Sequence, residues 1–308
     1  MKKTILAVSI TALFATSAQA ATVYDADGVS ADVYGRMEFN IIDNNADSDT
    51  VDGVGSARMG FKGKSVITEN VSAIAKAEWQ IAAENTDGNK FDARHIYAGF
   101  ETSDYGTIIF GQTDTAFYKA VEATDLYENF GYGAFNDVED GRQEGQIIYS
   151  GEFSGVYVGA SYQFQDETQH IDDSYALTLG YSIADLAVYG GYHLQEFDNA
   201  EDKESYALSV AYTLNDLYLA AVYAGSEQDG VADYEGYDLF ASYNIDAAKV
   251  YGGYTFQENT TTDEDTFDAI TLGTGYAFNA NMYTWVEYQA DMLDNNDDQW
   301  VAGVRYSF

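Results

Sequence analysis

The chain has 308 residues, among them 27 tyrosines, 17 phenylalanines and 28 glycines, with no proline, no cysteine and a formal net charge of −37. A negative charge of this size repels phosphate backbones and excludes nucleic acid as a partner; the absence of cysteine excludes a disulfide framework. At 46 % hydrophobic residues the acidity does not signal disorder, and the surplus of aromatics and glycines favours pleated strands joined by tight turns.

Residues 1–20 carry the marks of a secretory signal peptide. Lys2 and Lys3 form a positive start, Ile5 to Ala15 an apolar stretch, and Ala18-Gln19-Ala20 a small-residue cleavage site. Beyond it no run of eighteen apolar residues occurs, so no transmembrane helix is expected. Residues 21–308 are expected to form one exported body.

From Asp32 onward one pattern recurs: an alternating segment, then a turn or polar loop. Val156, Val158, Ala160, Tyr162 and Phe164 share one face, and Tyr157, Gly159, Ser161, Gln163 and Gln165 the other. Tyr175, Leu177, Leu179, Tyr181 and Ile183 alternate with Ser174, Ala176, Thr178, Gly180 and Ser182. Tyr206, Leu208, Val210, Tyr212 and Leu214 alternate in the same way with Ala207, Ser209, Ala211 and Thr213. A period of two marks a strand with unlike faces. Short turns such as Ala184-Asp185 and Asn215-Asp216 take turns with longer acidic stretches such as 197–203, 228–234 and 259–265. That alternation predicts an all-β, up-and-down antiparallel transmembrane barrel of about sixteen strands. Closure is required because lipid offers no partner to the open edge of a sheet. A soluble sandwich would alternate too. Tyrosines repeated at strand ends, as in an aromatic girdle, and a last strand ending on Phe308 weigh against it.

Several short segments carry a family likeness. They are Val33-Tyr34-Gly35-Arg36, 57–63 (Ala-Arg-Met-Gly-Phe-Lys-Gly), Ala77-Glu78-Trp79, 94–100 (Arg-His-Ile-Tyr-Ala-Gly-Phe), 105–111 (Tyr-Gly-Thr-Ile-Ile-Phe-Gly) and the closing 304–308 (Val-Arg-Tyr-Ser-Phe). In their order and spacing the chain resembles the general, trimeric diffusion porins of Gram-negative outer membranes. The resemblance implies a third extracellular loop folded inward to narrow the channel. The longest connection, about 114–141, stands where that loop belongs. A structureless segment of such length in a compact domain calls for a functional explanation.

The resemblance also implies a constriction with two charged walls. Of the arginines beyond the leader, Arg36, Arg58, Arg94 and Arg142 match the family's basic cluster, and Arg305 does not. The phase of alternation turns Arg36 and Arg58 to the polar face; Arg94 lies in a poorly alternating strand, and Arg142 at a loop boundary. On the loop, Asp125 matches the acidic position, and Glu128 is displaced by one residue within Tyr127-Glu128-Asn129-Phe130-Gly131. Arginine keeps its charge at any physiological pH and presents a planar array of donors, and opposed charged walls create a transverse field. Outside the constriction, Glu38, Glu78, Asp238, Glu287 and Asp291 are expected on the lumen against Lys62, Lys76, Lys249 and Arg305, which predicts a modest cation preference.

No pair among His95, His170 and His193 has metal-ligand spacing, and no Ser/His/Asp arrangement falls on adjacent strands. Neither a metal nor another cofactor nor enzymatic chemistry is expected, and His170 and His193 are read as solvated. The acidic runs 43–53 and 291–298 are read as solvated loops, with divalent bridging to lipopolysaccharide phosphates as the other possibility. Ala73, Ala75 and Ala77 offer a small-residue face suited to close protein contact, and the resemblance implies a homotrimer. The function expected is passive diffusion of small polar solutes and ions across the outer membrane. The alternatives are a substrate-selective channel, for which Tyr157, Tyr189, Tyr283 and Trp285 are candidate track residues, and an adhesin or receptor.

Overall fold

A computed structural model describes residues 20–43, 51–82, 91–139, 141–293 and 297–308. The predicted leader, apart from Ala20, and parts of both acidic runs lie outside the described residues. Among the described residues, seventeen strands form one antiparallel sheet. In chain order they are β1 (Ala21–Ala26), β2 (Val29–Asp43), β3 (Asp52–Thr68), β4 (Val71–Ala82), β5 (Phe91–Thr102) and β6 (Gly106–Asp114). Then come β7 (Arg142–Phe153), β8 (Val156–Gln163), β9 (Ile171–Ile183), β10 (Leu186–Phe197), β11 (Lys203–Leu214) and β12 (Leu217–Gln228). The last are β13 (Tyr234–Ile245), β14 (Ala248–Asn259), β15 (Glu264–Ala277), β16 (Met282–Asp291) and β17 (Gln299–Ser307).

Strands β2 to β17 each pair with their chain neighbours, and β17 pairs with β2, Arg305 opposite Glu38, which closes a sixteen-stranded cylinder. β1 lies against the first half of β2, on the side where β17 has ended. Ala21 faces Val33, while Phe308 and Gly35 exchange N–H···O bonds of 2.9 and 3.0 Å. β1 and β17 thus fill one place end to end, leaving little unpaired edge at the seam. The turns at one rim are tight; Ser154 (φ +54°) and Gly155 (φ +86°) both take the left-handed conformation that a two-residue hairpin turn requires.

The two faces of each strand differ as predicted. Leu208 is 58 % exposed on the outside, whereas Ser209 beside it is 1 % exposed and turned inward. Leu177, Leu179 and Tyr181 point outward in the same way, with Ala176 and Thr178 covered inside. An apolar belt therefore meets lipid, and small or polar residues line the interior.

The segment between β6 and β7 fills part of that interior. It is not the structureless loop that its length suggested: it holds a short helix, α1 (Tyr118–Val121), and 3-10 turns at Glu122–Thr124 and Gly133–Phe135. Phe117, Ala120, Val121, Phe135 and Val138 are fully covered and pack against Ala176 on β9, Ala207 on β11 and Val222 and Ala224 on β12. Small wall residues leave room for the larger loop ones. Each such Phe or Val contributes about 1.5–3 kcal/mol on leaving water, which draws the segment inward rather than out over the rim.

Candidate functional site

Four arginines stand between β2 and β7: Arg36 on β2, Arg58 on β3, Arg94 on β5 and Arg142 on β7. Arg36 and Arg58 are direct register partners on β2 and β3, so both guanidinium groups emerge at one level. Arg58 donates from Nε and Nη2 to Gln80 Oε1 on β4, at 3.2 and 3.1 Å. Arg94 reaches the same patch through an irregularity: the β4–β5 register slips between Glu78 opposite His95 and Trp79 opposite Ala93. The extra residue of a bulge re-aims side chains, and here two successive ones, Arg94 and His95, come to Glu78. This is why alternation in the sequence failed at Arg94. Arg142 opens β7 opposite Asp114, with Nη1 3.4 Å from its Oδ1. Arg36, Arg94 and Arg142 all lie near enough to repel Arg58.

Glu78 ties together three of the cations here, Arg58, Arg94 and Lys76. Its carboxylate accepts from Arg94 Nε at 2.9 Å and Tyr34 Oη at 2.7 Å, with Lys76 Nζ at 3.6 Å and Arg58 Nε and His95 Nε2 both at 3.7 Å. Like charges side by side repel strongly in a confined space, and one shared carboxylate offsets part of that repulsion. The sequence placed Glu78 on the lumen apart from the arginines; it contacts two of them, Arg58 and Arg94.

The segment between β6 and β7 carries Asp125 and Glu128. Asp125 is exposed and accepts from Tyr118 Oη at 2.6 Å. Burial first, then Asp125, pushes the Tyr118 hydroxyl up, so it remains a donor. Glu128 is at the loop tip, which rests on β16. The backbone N–H groups of Glu128, Asn129 and Phe130 donate to the Glu287 carboxylate at 2.5, 2.8 and 3.1 Å, and Tyr251 Oη donates to it at 2.8 Å. Trp285 Nε1 donates to Asn129 Oδ1 at 2.8 Å. Glu287 is fully covered; it anchors the loop rather than charging the lumen. Asp238, also fully covered, lies under the loop and accepts from Thr255 Oγ1 at 3.0 Å.

Three further sequence readings change. Arg305, left outside the constriction, has Nη2 2.8 Å from Glu128 Oε2, because ring closure brings the last strand to the loop tip. His193 is 1 % exposed and packs against Phe117 at 5.9 Å between centroids, so it is covered by the loop rather than solvated. Three of the four candidate track aromatics are covered, Tyr189 8 %, Tyr283 3 % and Trp285 1 % exposed, while Tyr157 is half-buried. His170, by contrast, is a half-exposed loop residue paired with Asp198 at 3.2 Å. Nothing in local sequence signalled the roles of Arg305 or Glu287, since both depend on contacts with a distant loop.

A closed barrel with an apolar outer belt and a charged interior narrowed by its own loop defines a channel of the outer-membrane class. A family model described as Gram-negative porin matches residues 7–306, and the chain belongs to that family. It is 26 % identical to outer membrane protein YedS and 27 % identical to outer membrane porin PhoE, both of Escherichia coli, over the full length of each chain. Among solved structures, OmpF of Salmonella typhi, in a complex with daunomycin, superposes with a TM-score of 0.85 at 23 % identity, covering 93 % of this chain and all of that one. An anion-selective porin from Comamonas acidovorans superposes with a TM-score of 0.77 at 17 % identity, covering 91 % of this chain and all of that one. The protein is an outer-membrane porin, a passive diffusion channel.

Proposed function

We propose that the pore passes small polar solutes and ions through an eyelet whose positive wall is Arg36, Arg58, Arg94 and Arg142 and whose negative side is the loop bearing Asp125 and Glu128. The observation that carries this reading is the convergence of the four arginines, from β2, β3, β5 and β7, opposite a loop pinned to β16. A solute with a dipole aligns in the field between such walls and exchanges water for wall contacts; an apolar one does not.

A modest cation preference belongs to the same proposal. An anion-selective porin shares this fold, so the sign must come from side chains. Glu38, Glu78, Asp238 and Glu287 are paired or covered, which leaves Asp125 and the acidic extracellular connections to attract cations. Planar-bilayer recording tests both parts. Arg58→Ala should raise the cation-to-anion permeability ratio and Asp125→Asn should lower it; unchanged reversal potentials in both would remove the eyelet assignment.

The proposal includes cleavage after Ala20 and assembly as a homotrimer. The outer face of β2 to β6 supports the trimer: Ala31, Gly63, Ala73, Ala75 and Ala98 line a shallow apolar concavity there, and small residues let a neighbouring barrel approach closely. At the loop end of the outer face, Tyr192 donates to Glu204 at 2.6 Å and Trp300 to Asp43 at 3.0 Å. Carboxylates at that level would meet lipopolysaccharide phosphates, and divalent cations bridging the two are the compatible arrangement. Loss of heat stability on chelation, in lipopolysaccharide-containing vesicles only, is the expected result.

A further inference from the structure

We propose that Arg305 is a specificity-determining residue of this pore: it bolts the loop's Glu128 to the barrel seam and withdraws that carboxylate's charge from the transverse field, leaving Asp125 as the loop's open acid. The inference rests on the eyelet reading above and changes which residues set its sign.

Arg305 projects inward from β17 directly opposite Glu38 on β2. Its Nε donates to Glu38 Oε2 at 2.8 Å, and its Nη2 lies 2.8 Å from Glu128 Oε2. The three side chains are 11 %, 7 % and 12 % exposed for Arg305, Glu38 and Glu128. Beneath the guanidinium, at 4.7 Å from its central carbon, is the Trp285 ring, which adds a cation–π contact and a rigid floor. Trp285 can lie flat there because position 303 is glycine; a Cβ at Gly303 would collide with the indole. The same indole binds Asn129, next to Glu128. Floor, bolt and loop tip therefore fix one another.

Two nitrogens of one guanidinium, Nε and Nη2, serve two carboxylates on different elements. That geometry needs a planar fork; a lysine ammonium is a single point on a flexible stem. The electrostatic consequence follows from pairing. A carboxylate and a guanidinium at contact act at a distance as a dipole, not as a charge. Arg36 and Lys249 act on Glu128 as well, and Arg36 also sits 3.6 Å from Glu38. Asp125 has no such cover: its described partner is the neutral Tyr118 hydroxyl.

The test measures reversal potentials in a salt gradient for native protein, Arg305→Gln, Glu128→Gln and the double variant. A unit charge uncovered about 8 Å from the axis of a water-filled pore changes local ion concentration about twofold. Cations gain that factor and anions lose it, so Arg305→Gln should raise the cation-to-anion permeability ratio about fourfold, and Glu128→Gln should lower it by a similar factor. The double variant should return to the native ratio. An unchanged ratio in Arg305→Gln, or a double variant displaced as far as Glu128→Gln alone, would overturn the proposal. Should Arg305→Gln fail to assemble, Glu128→Gln, which lies on the loop and leaves the seam intact, decides by itself: no shift sinks the idea. A native protein giving no channel steps at all would speak against the channel reading, whereas a conducting native protein with inert variants refutes only this inference.

Discussion

Replacing Glu287 by alanine is expected to loosen the constriction without unfolding the barrel. The carboxylate receives three backbone N–H groups of the loop tip, at 2.5, 2.8 and 3.1 Å, and the Tyr251 hydroxyl at 2.8 Å. A hydrogen bond to a charged acceptor contributes about 1.5–3 kcal/mol net, and a buried donor left unpaired costs about 1–3 kcal/mol. Other ties remain: Trp285 to Asn129, Gln289 Nε2 to the Phe130 carbonyl at 3.2 Å, and Arg305 to Glu128. Lumen water can also replace part of what is lost. The seated tip should lose about 3–4 kcal/mol net, which moves its seated-to-released ratio by roughly a hundred- to a thousandfold. Glu287→Gln keeps one acceptor oxygen and should lose about half as much free energy. Single-channel recording is the assay. Open-channel noise and substates should rise in the order native, Glu287→Gln, Glu287→Ala, while the folded barrel still shows its heat-dependent gel shift. Native noise and conductance in Glu287→Ala would refute the view that this carboxylate holds the eyelet in shape.

Further outcomes follow from the outer face and from the loop. Leu208→Arg places a charge on the lipid side and should cost about 2–4 kcal/mol if that position lies at the bilayer midplane, read as a lower urea midpoint for folding into vesicles. Ala75→Trp should fill the concavity on β2 to β6 and convert unheated gel trimers to monomers, with triplet conductance steps becoming single ones; intact trimers would place the contact elsewhere. Lys119, on α1, lies 4.9 Å above the Tyr189 ring and pairs with Glu122. Burial pulls its ammonium down, but Glu122 more than offsets this, and the net direction is upward from 10.5. A cation raised on folding stabilises fully below its unfolded value and loses that contribution only as pH climbs through the folded one. The helix contact should therefore hold from about pH 6 to 9, and a rise in open-channel noise within that range that is absent from Lys119→Met would refute it.

The barrel could be read from local pattern because each strand meets two solvents. Lipid outside and water or protein inside impose a period of two, and Tyr206 to Leu214 displays it without knowledge of any neighbour. Arg36 and Arg58 were legible for the same reason: their phase alone turns them inward. Arg94 was not, because the bulge beside Glu78 inserts a residue and breaks the phase, and only the paired strand shows the insertion. Exposure in the lumen was misjudged at His193 and Glu287, since alternation says which face a residue is on and nothing about what later covers it.

The strand pattern, the alternation of short turns with long loops and the outer apolar belt are all written in the chain before it folds. Which charges meet was settled only by the folded arrangement. Closing the ring makes β17 a neighbour of β2, and folding the loop inward carries Glu128 across to both, so Arg305, Glu38 and Glu128 come into contact from three distant stretches of chain. Side-chain periodicity is a local consequence of two solvents, whereas ion pairing depends on distances of a few ångströms that exist only once the cylinder has closed.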